Sequence, residues 1–314
     1  IAEIPHGKQT WYSSQSGIWQ SVRIERRSAV ALAGLRIRPD VGRSLAIVSW
    51  RLDPLGAAEA PHGATLVVEI VGPDGTPAGR AEVILAPGER DGTLEIALQD
   101  VRLWDIDQPH LYGARARLVS EAGEPIDEVT ARFGMREIRT ENGRILLNGR
   151  AIYLLAALDQ DLYPDTISTP PSRAFLDEQM RLSREMGLNL LRCHIKVPDP
   201  AYLDAADEAG ILVWCELPNW LRFSRHAGAR GRATLEAMVE ELGNHPSLVI
   251  WTIINEDWGT RLREEARDRR WVADINPWCR VVLTRIFPER RLEAVERRFL
   301  ETGHPRDLTV VHAL

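Results

Sequence analysis

The sequence predicts a multidomain chain of β and α/β type: an antiparallel β-sandwich followed by a partial (β/α)8 TIM barrel. Three observations predict it. Residues 28–133 hold short stretches that alternate apolar with polar residues, separated by turn formers. From about residue 145, continuous apolar runs alternate with helical patterns. Each of those runs delivers polar or charged residues at its carboxyl end.

In the first region SLAIVSWRLD, ATLVVEIV, AEVILA, GTLEIAL and HLYGARARLV read as strands. GPDGTP (72–77), APGERDG (86–92) and EAGEP (121–125) read as the turns between them. Short alternating strands at this spacing indicate an antiparallel sandwich. No cluster of His, Glu or Cys here has the makings of a chemical site, so the region reads as a structural spacer.

The second region opens on the strand-like RAIYLLAAL and a helix from Arg173 to Met186, closed by Gly187. LNLLRCHI follows. Asp199 and Pro200 then supply an N-cap and a first-turn proline to a helix ending at Gly210. ILVWCELP, a helix ending near Gly243, and LVIWTIINE complete the pattern. The strand starts, near 152, 189, 211 and 248, repeat at about 32 residues. Strands apolar along their whole length are buried on both faces, as in a parallel sheet covered by helices. That suits a (β/α) barrel or a doubly wound sheet. The polar strand ends favour the barrel, and no Gly-rich dinucleotide loop follows the first strand.

Bulk composition narrows the function classes. The chain is 44% apolar and 27% charged with a net charge of −6, and it has no long basic block. Neither a nucleic-acid nor a membrane partner is expected. No apolar run reaches the roughly 20 residues of a membrane span. Cys193, Cys215 and Cys279 form neither a disulfide framework nor a metal knuckle and read as buried thiols. The chain begins at Ile1 without a charged segment leading an apolar one, so it reads as cut from something longer. Compartment and oligomeric state carry no signal.

The candidate site residues are those at the strand ends. Asp159 ends the first run, Arg192 and His194 the second, Glu216 the third, and Asn255 with Glu256 the fourth. A carboxylate ending an apolar strand is partly desolvated, which suits a general acid. An amide beside it can bond a substrate hydroxyl. Trp214, Trp220, Trp251 and Trp258 add indole faces, and the set suits a polyhydroxylated ligand. One His beside one Arg is a poor metal ligand set, so no metal and no cofactor is expected.

WTIINEDWG (251–259) resembles the acid/base signature of glycoside hydrolase family 2, which holds β-galactosidases, β-glucuronidases and β-mannosidases. Three other stretches agree, in the family's order. GKQTWYSSQSGIWQSVRIE (7–25) resembles the last strands of its jelly-roll sugar-binding domain. LWDIDQPHLYGARARLV (103–119) resembles the end of its immunoglobulin-like middle domain. FGMREIRTENGRILLNGRAIYLLAALDQDLYP (133–164) resembles the lead into its barrel. The resemblance implies a jelly-roll remnant at 1–27, an immunoglobulin-like sandwich at 28–133 and a partial catalytic TIM barrel at 134–314. It implies a carbohydrate substrate and hydrolysis of β-glycosides.

Carried over by position, Glu256 matches the general acid/base and Asn255 the contact to the sugar 2-hydroxyl. Arg192 and His194 match the pair that shapes the sugar pocket. Glu216 matches an acidic residue near the site, Asp159 falls on the barrel-entry motif, and Trp258 is a further substrate contact. Two departures stand out: CHIKVP replaces the usual Ser-His-Tyr-Pro, and Leu155-Ala156 stand where Arg-Gly is expected.

A retaining family also implies a second carboxylate, the nucleophile, about 5 to 5.5 Å from the acid/base. In this family it ends the seventh barrel strand, which the repeat places beyond Leu314, so no nucleophile is identified. Residues 134–314 also fall short of the roughly 250 of a whole barrel, and the chain reads as truncated at both ends. From about 275 the tail keeps a β/α rhythm without the family's motifs, as a divergent unit or an out-of-frame stretch. Its segments CRVVLTRIF and DLTVVHAL read as strands, and PERRLEAVERRFLETG as a helix. The alternatives to a glycosidase are a non-catalytic carbohydrate-binding remnant and an inactive fragment.

Overall fold

A computed structural model describes residues 3–7, 17–54, 62–221, 224–255 and 308–311. Glu256, Asp257, Trp258, Cys279 and most of the tail lie outside the described residues.

Two antiparallel sheets face one core. One has the order β1–β2–β5, from Val30–Asp40, Leu45–Pro54 and Asp91–Ala97. The other has the order β4–β3–β6–β7, from Pro77–Ile84, Thr65–Val71, Tyr112–Val119 and Pro125–Phe133. Period-two alternation sets which side chains enter. On β6, Tyr112, Ala114, Ala116 and Leu118 are buried while the residues between them are not. They meet Leu66, Val68 and Ile70 of β3 and Leu32, Ile37, Val48 and Trp50 of the first sheet. Gly92 pairs with Trp50 across β2 and β5, where an added Cβ would come within 2.7 Å of the indole. β1 and β7 add to the strands expected from the sequence.

A small antiparallel sheet, β8 (Ile138–Glu141), β9 (Arg144–Leu147) and β10 (Arg150–Ile152), leads out of the sandwich. Its turns are Asn142-Gly143 and Asn148-Gly149, all four residues with positive φ, as two-residue hairpins require. This corrects one expectation. Arg150–Ile152 is not the start of the first parallel strand, because the Asn148-Gly149 turn folds it back onto β9.

The parallel sheet begins at β11 (Ala156–Asp159) and continues through β12 (Leu190–Cys193), β13 (Leu212–Glu216) and β14 (Leu248–Ile254). Helices α1 (Arg173–Glu185), α2 (Pro200–Ala209) and α3 (Arg225–Leu242) connect them. Each helix starts where an oxygen-bearing side chain caps a free backbone N–H: Ser172 to Phe175, Asp199 to Ala201, Ser224 to Ala227. Gly210 closes α2 in the left-handed region, where an added Cβ would meet Ile106 O at 2.3 Å. Leu308–Val311 forms β15 on β14. It runs antiparallel, not in the parallel sense of a further β/α unit.

Both faces of the parallel sheet are covered, which explains its unbroken apolar runs. Leu191, Cys193, Val213, Cys215, Trp251 and Ile253 pack against Leu176, Met180, Tyr202, Leu203, Leu235, Met238 and Val239 of the helices. Leu190, Leu212, Val249 and Ile250 pack with Trp104, Ile138 and Leu147. Trp104 precedes the hairpin sheet and is fully buried, and its Nε1 donates to Asp207 O at 2.9 Å.

Polar bonds join the sandwich to the layers that follow. Buried Arg136 donates from Nε to Pro246 O at 2.8 Å and from Nη2 to Leu248 O at 2.9 Å. Burial pulls its pKa down to about 10. Asn244 bonds the β1 backbone twice, accepting from Ile37 N and donating to Leu35 O, each at 2.7 Å. Arg132 pairs with Asp204 and Glu208 of α2.

His245 lies at this junction, its Nδ1 2.6 Å from Asp207 Oδ2. Burial lowers the imidazole pKa, but the Asp207 charge and hydrogen bond outweigh it, and the net shift is upward from 6.5. The folded state therefore binds this proton more tightly than the unfolded chain. Its stabilisation is complete below pH 6.5 and is lost as pH rises through the raised folded value. The stability gap between the wild type and His245→Gln should narrow with rising pH in urea titrations. A gap that stays flat or widens would refute this coupling.

Candidate active site

The carboxyl ends of β12, β13 and β14 bring together Arg192, Glu216 and Asn255. Register explains the grouping. Arg192 pairs with Trp214, Trp214 with Ile250, and Glu216 with Thr252, so these side chains share the sheet face away from the helices. The Arg192 guanidinium stacks 4.4 Å from the Trp214 ring centroid, and Trp214 Nε1 donates to Thr252 Oγ1 at 2.7 Å.

Glu216 is the hub and is fully buried. Its Oε1 accepts from Arg192 Nε at 2.5 Å and also pairs with Nη2. Its Oε2 accepts from Asn255 Nδ2 at 2.7 Å. With both oxygens engaged, Glu216 acts as a holder of its neighbours, not as a free acid or base. The same bond sets the Asn255 amide, since the reverse orientation would put its oxygen against the carboxylate. Asn255 is fully buried, and its Oδ1 has no hydrogen-bond partner among the described residues. A buried acceptor left open in this way is costly unless a ligand donor completes it.

The other sequence-derived candidates are placed differently. Asp159 pairs in register with Cys193, which turns both toward the helices. Its Oδ2 accepts from Gln179 Nε2 at 2.6 Å and Tyr202 Oη at 2.9 Å, and its Oδ1 from Asp161 N at 2.7 Å. The expectation that it joins the strand-end cluster is therefore corrected: it is on the opposite sheet face. His194 is buried, with Nδ1 3.1 Å from Gln160 Oε1 and its backbone N–H on Asp159 O. Trp251 likewise packs into the helix-side core and offers no indole face to the cluster. Glu256 and Trp258 lie outside the described residues.

Two features escaped the sequence reading. Buried Lys196 reaches Asp161 O at 2.6 Å, Ser168 O at 2.8 Å and Asp161 Oδ2 at 2.9 Å. Tyr163 Oη donates to the other Asp161 oxygen at 2.5 Å. Burial raises the Asp161 pKa and the Lys196 charge opposes it. This network ties the loop after β11 to the loop after β12. A lysine inside an apolar, proline-bounded segment was the available signal, since such a charge demands a partner. The second feature is Asn219, whose Nδ2 donates to Asn255 O at 2.7 Å.

Asp204, Asp207 and His245 hold ligand-capable atoms within 4.8 Å of one another. They sit before β14, at the end of the sheet opposite Asn255. Asp207 is already bonded to His245 and Ser247 N, and Asp204 is paired with Arg132.

Residues 30–136 match the family model described as glycosyl hydrolases family 2. The chain resembles glycoside hydrolase family 2. Among curated relatives, a β-galactosidase of Thermoanaerobacterium thermosulfurigenes is 28% identical over 180 residues, covering 57% of this chain and 24% of the relative. A β-galactosidase of Thermoanaerobacter pseudethanolicus is 24% identical over 217 residues, covering 67% and 28%. The chain thus spans about a quarter of the length of these relatives. A family 2 member from Bacteroides cellulosilyticus superposes with a TM-score of 0.67 at 21% identity, covering 81% of this chain and 35% of that one. The β-glucuronidase of Parabacteroides merdae gives 0.66 at 22% identity, covering 79% and 32%. At these identities the superpositions speak for fold alone.

Proposed function

We propose that this chain supplies the sandwich and the first β/α units of a family 2 glycosidase that hydrolyses β-glycosides with retention. In this reading residues 1–27 end a jelly roll, 28–133 form an immunoglobulin-like sandwich and 134–314 begin a TIM-barrel catalytic domain. Glu256 is the general acid/base. It protonates the glycosidic oxygen as the bond breaks and later takes a proton from water. Asn255 offers its open Oδ1 to a sugar hydroxyl. Arg192, Glu216 and His194 shape the pocket, and Trp258 supplies a stacking face. Asp159 supports the site from the helix side. The nucleophilic carboxylate is not assigned to any residue.

The observation that carries the reading is the chain of bonds Arg192–Glu216–Asn255, which ends one residue before Glu256 on a buried acceptor with no partner among the described residues. The likeness to family 2 sequences supports it. Hydrolysis of alkyl and nitrophenyl β-glycosides by the protein and by Glu256→Gln tests it. Losing an acid/base group costs about 10²- to 10⁴-fold. The loss should be larger for the alkyl substrates, whose leaving group needs the proton more. Undiminished alkyl-glycoside turnover in Glu256→Gln would sink the assignment.

A further inference from the structure

The segment Glu3–Gly7 crosses the carboxyl ends of the parallel strands. The N–H groups of His6 and Gly7 both donate to Asn219 O at 2.9 Å. Gly7 is buried with φ +61, and an added Cβ would come within 2.0 Å of Ile195 O, so only glycine fits this close approach. At its other end the segment is held by Arg230 of α3, whose Nη1 is 3.4 Å from Glu3 O and 3.8 Å from Glu3 Oε2.

Asn219 is 5% exposed and passes this contact inward. Its Nδ2 donates to Asn255 O, the carbonyl of the peptide bond that leads into Glu256. Asn255 is therefore gripped twice, by Glu216 on its side chain and by Asn219 on its backbone. The first grip orients the amide. The second holds the Asn255 carbonyl, the last described backbone group before Glu256 in the sequence.

We propose that Asn219 is a positioning residue for Glu256 and that the Glu3–Gly7 segment is the brace that holds it in place. The role of Glu256 rests on the family 2 reading, whereas the brace itself does not. Glu3–Gly7 and Asn255 are far apart in sequence, so the link makes the geometry at the end of β14 depend on the docking of an amino-terminal segment. Sugar binding and catalysis then require that segment to be seated.

Three variants of the protein test this: Gly7→Ala, which pushes the brace off from outside; Asn219→Leu, which keeps the side-chain volume but removes the donor; and the double variant. Hydrogen exchange at the Asn255 and Glu256 amides should quicken by about tenfold or more in each single variant. Amides of the sandwich strands should stay unchanged. The double variant should exchange no faster than the stronger single, because both act through one link. Unchanged protection in either single, or effects that multiply in the double, would overturn the proposal. If Asn219 merely filled space, the Leu variant would behave as wild type. On nitrophenyl β-glycosides, each single should lower kcat and kcat/KM together by about tenfold, the sign of an interaction made in the transition state. A wild-type protein that turns over no β-glycoside fits a chain without an assigned nucleophile, and the exchange result alone then decides the positioning role.

Discussion

Arg192→Met is expected to destabilise the protein by about 3 to 5 kcal/mol, measured by urea unfolding. The cost comes less from the lost attraction than from what remains. Glu216 is fully buried, and without the guanidinium it loses the ion pair on its Oε1. Arg192 is also the stacking partner of Trp214, and Met fills only part of that contact. The control is Arg192→Met with Glu216→Leu. Removing both charges also removes the cost of burying the carboxylate and should recover most of the lost stability. Under the proposed function it should not recover sugar binding, because Asn255 Nδ2 then loses its anchor. A double variant as unstable as the single would show that packing, not charge burial, dominates at this point.

Trp104→Ala is expected to cost about 3 to 5 kcal/mol, for a different reason. The indole is fully buried among Leu190, Leu212, Val249, Ile250, Ile138 and Leu147. Its removal opens a cavity under the parallel sheet and leaves Asp207 O without its donor. The site cannot collapse easily. A Cβ added at Gly134 would come within 2.8 Å of both Trp104 and Pro246, and the Trp104 backbone is fastened to Met135 O. Trp104→Phe separates the two contributions, since it keeps most of the volume and loses the N–H. It should cost about 1 to 3 kcal/mol. Equal losses for Phe and Ala would mean that the hydrogen bond outweighs the packing.

How much of this was legible in the sequence depends on how strongly each segment states its period. β2, β3, β5 and β6 alternate clearly and lie where the pattern puts them. β7 was missed because Asp127, Glu128, Thr130 and Arg132 leave its apolar face thin, and its partner β6 supplies the order. The helices were read to within a residue or two, since Ser172, Asp199 and Gly210 mark their ends chemically. The first parallel strand was placed too early because the apolar run from Ile152 to Leu158 looks continuous. The Asn148-Gly149 turn pairs Ile152 with β9, and the parallel strand starts only at Ala156.

The same lesson governs the site. Of the polar residues at the strand ends, Arg192, Glu216 and Asn255 are brought by register into one cluster. Asp159 also ends a strand, yet its register partner is Cys193; Leu158 is the partner of Arg192. One residue of phase decides whether a side chain faces the helices or the opposite side. Asn219 carried no signal at all. Its role depends on a backbone carbonyl and on a segment more than two hundred positions away, and neither leaves a trace in local pattern.

The two-sided core of the parallel sheet bears on modularity. A division at 133/134 looks like the seam between a spacer and a catalytic module. Yet Trp104, which covers the lower face of that sheet, is contributed from the spacer side of the seam. The β1 backbone in turn borrows its hydrogen bonds from Asn244 on the other side. Each half thus supplies surface that the other must bury. The sandwich is not a detachable handle on an autonomous β/α unit. The two would be inherited, exchanged or excised together, and a graft that swaps one alone would have to carry the tryptophan with it.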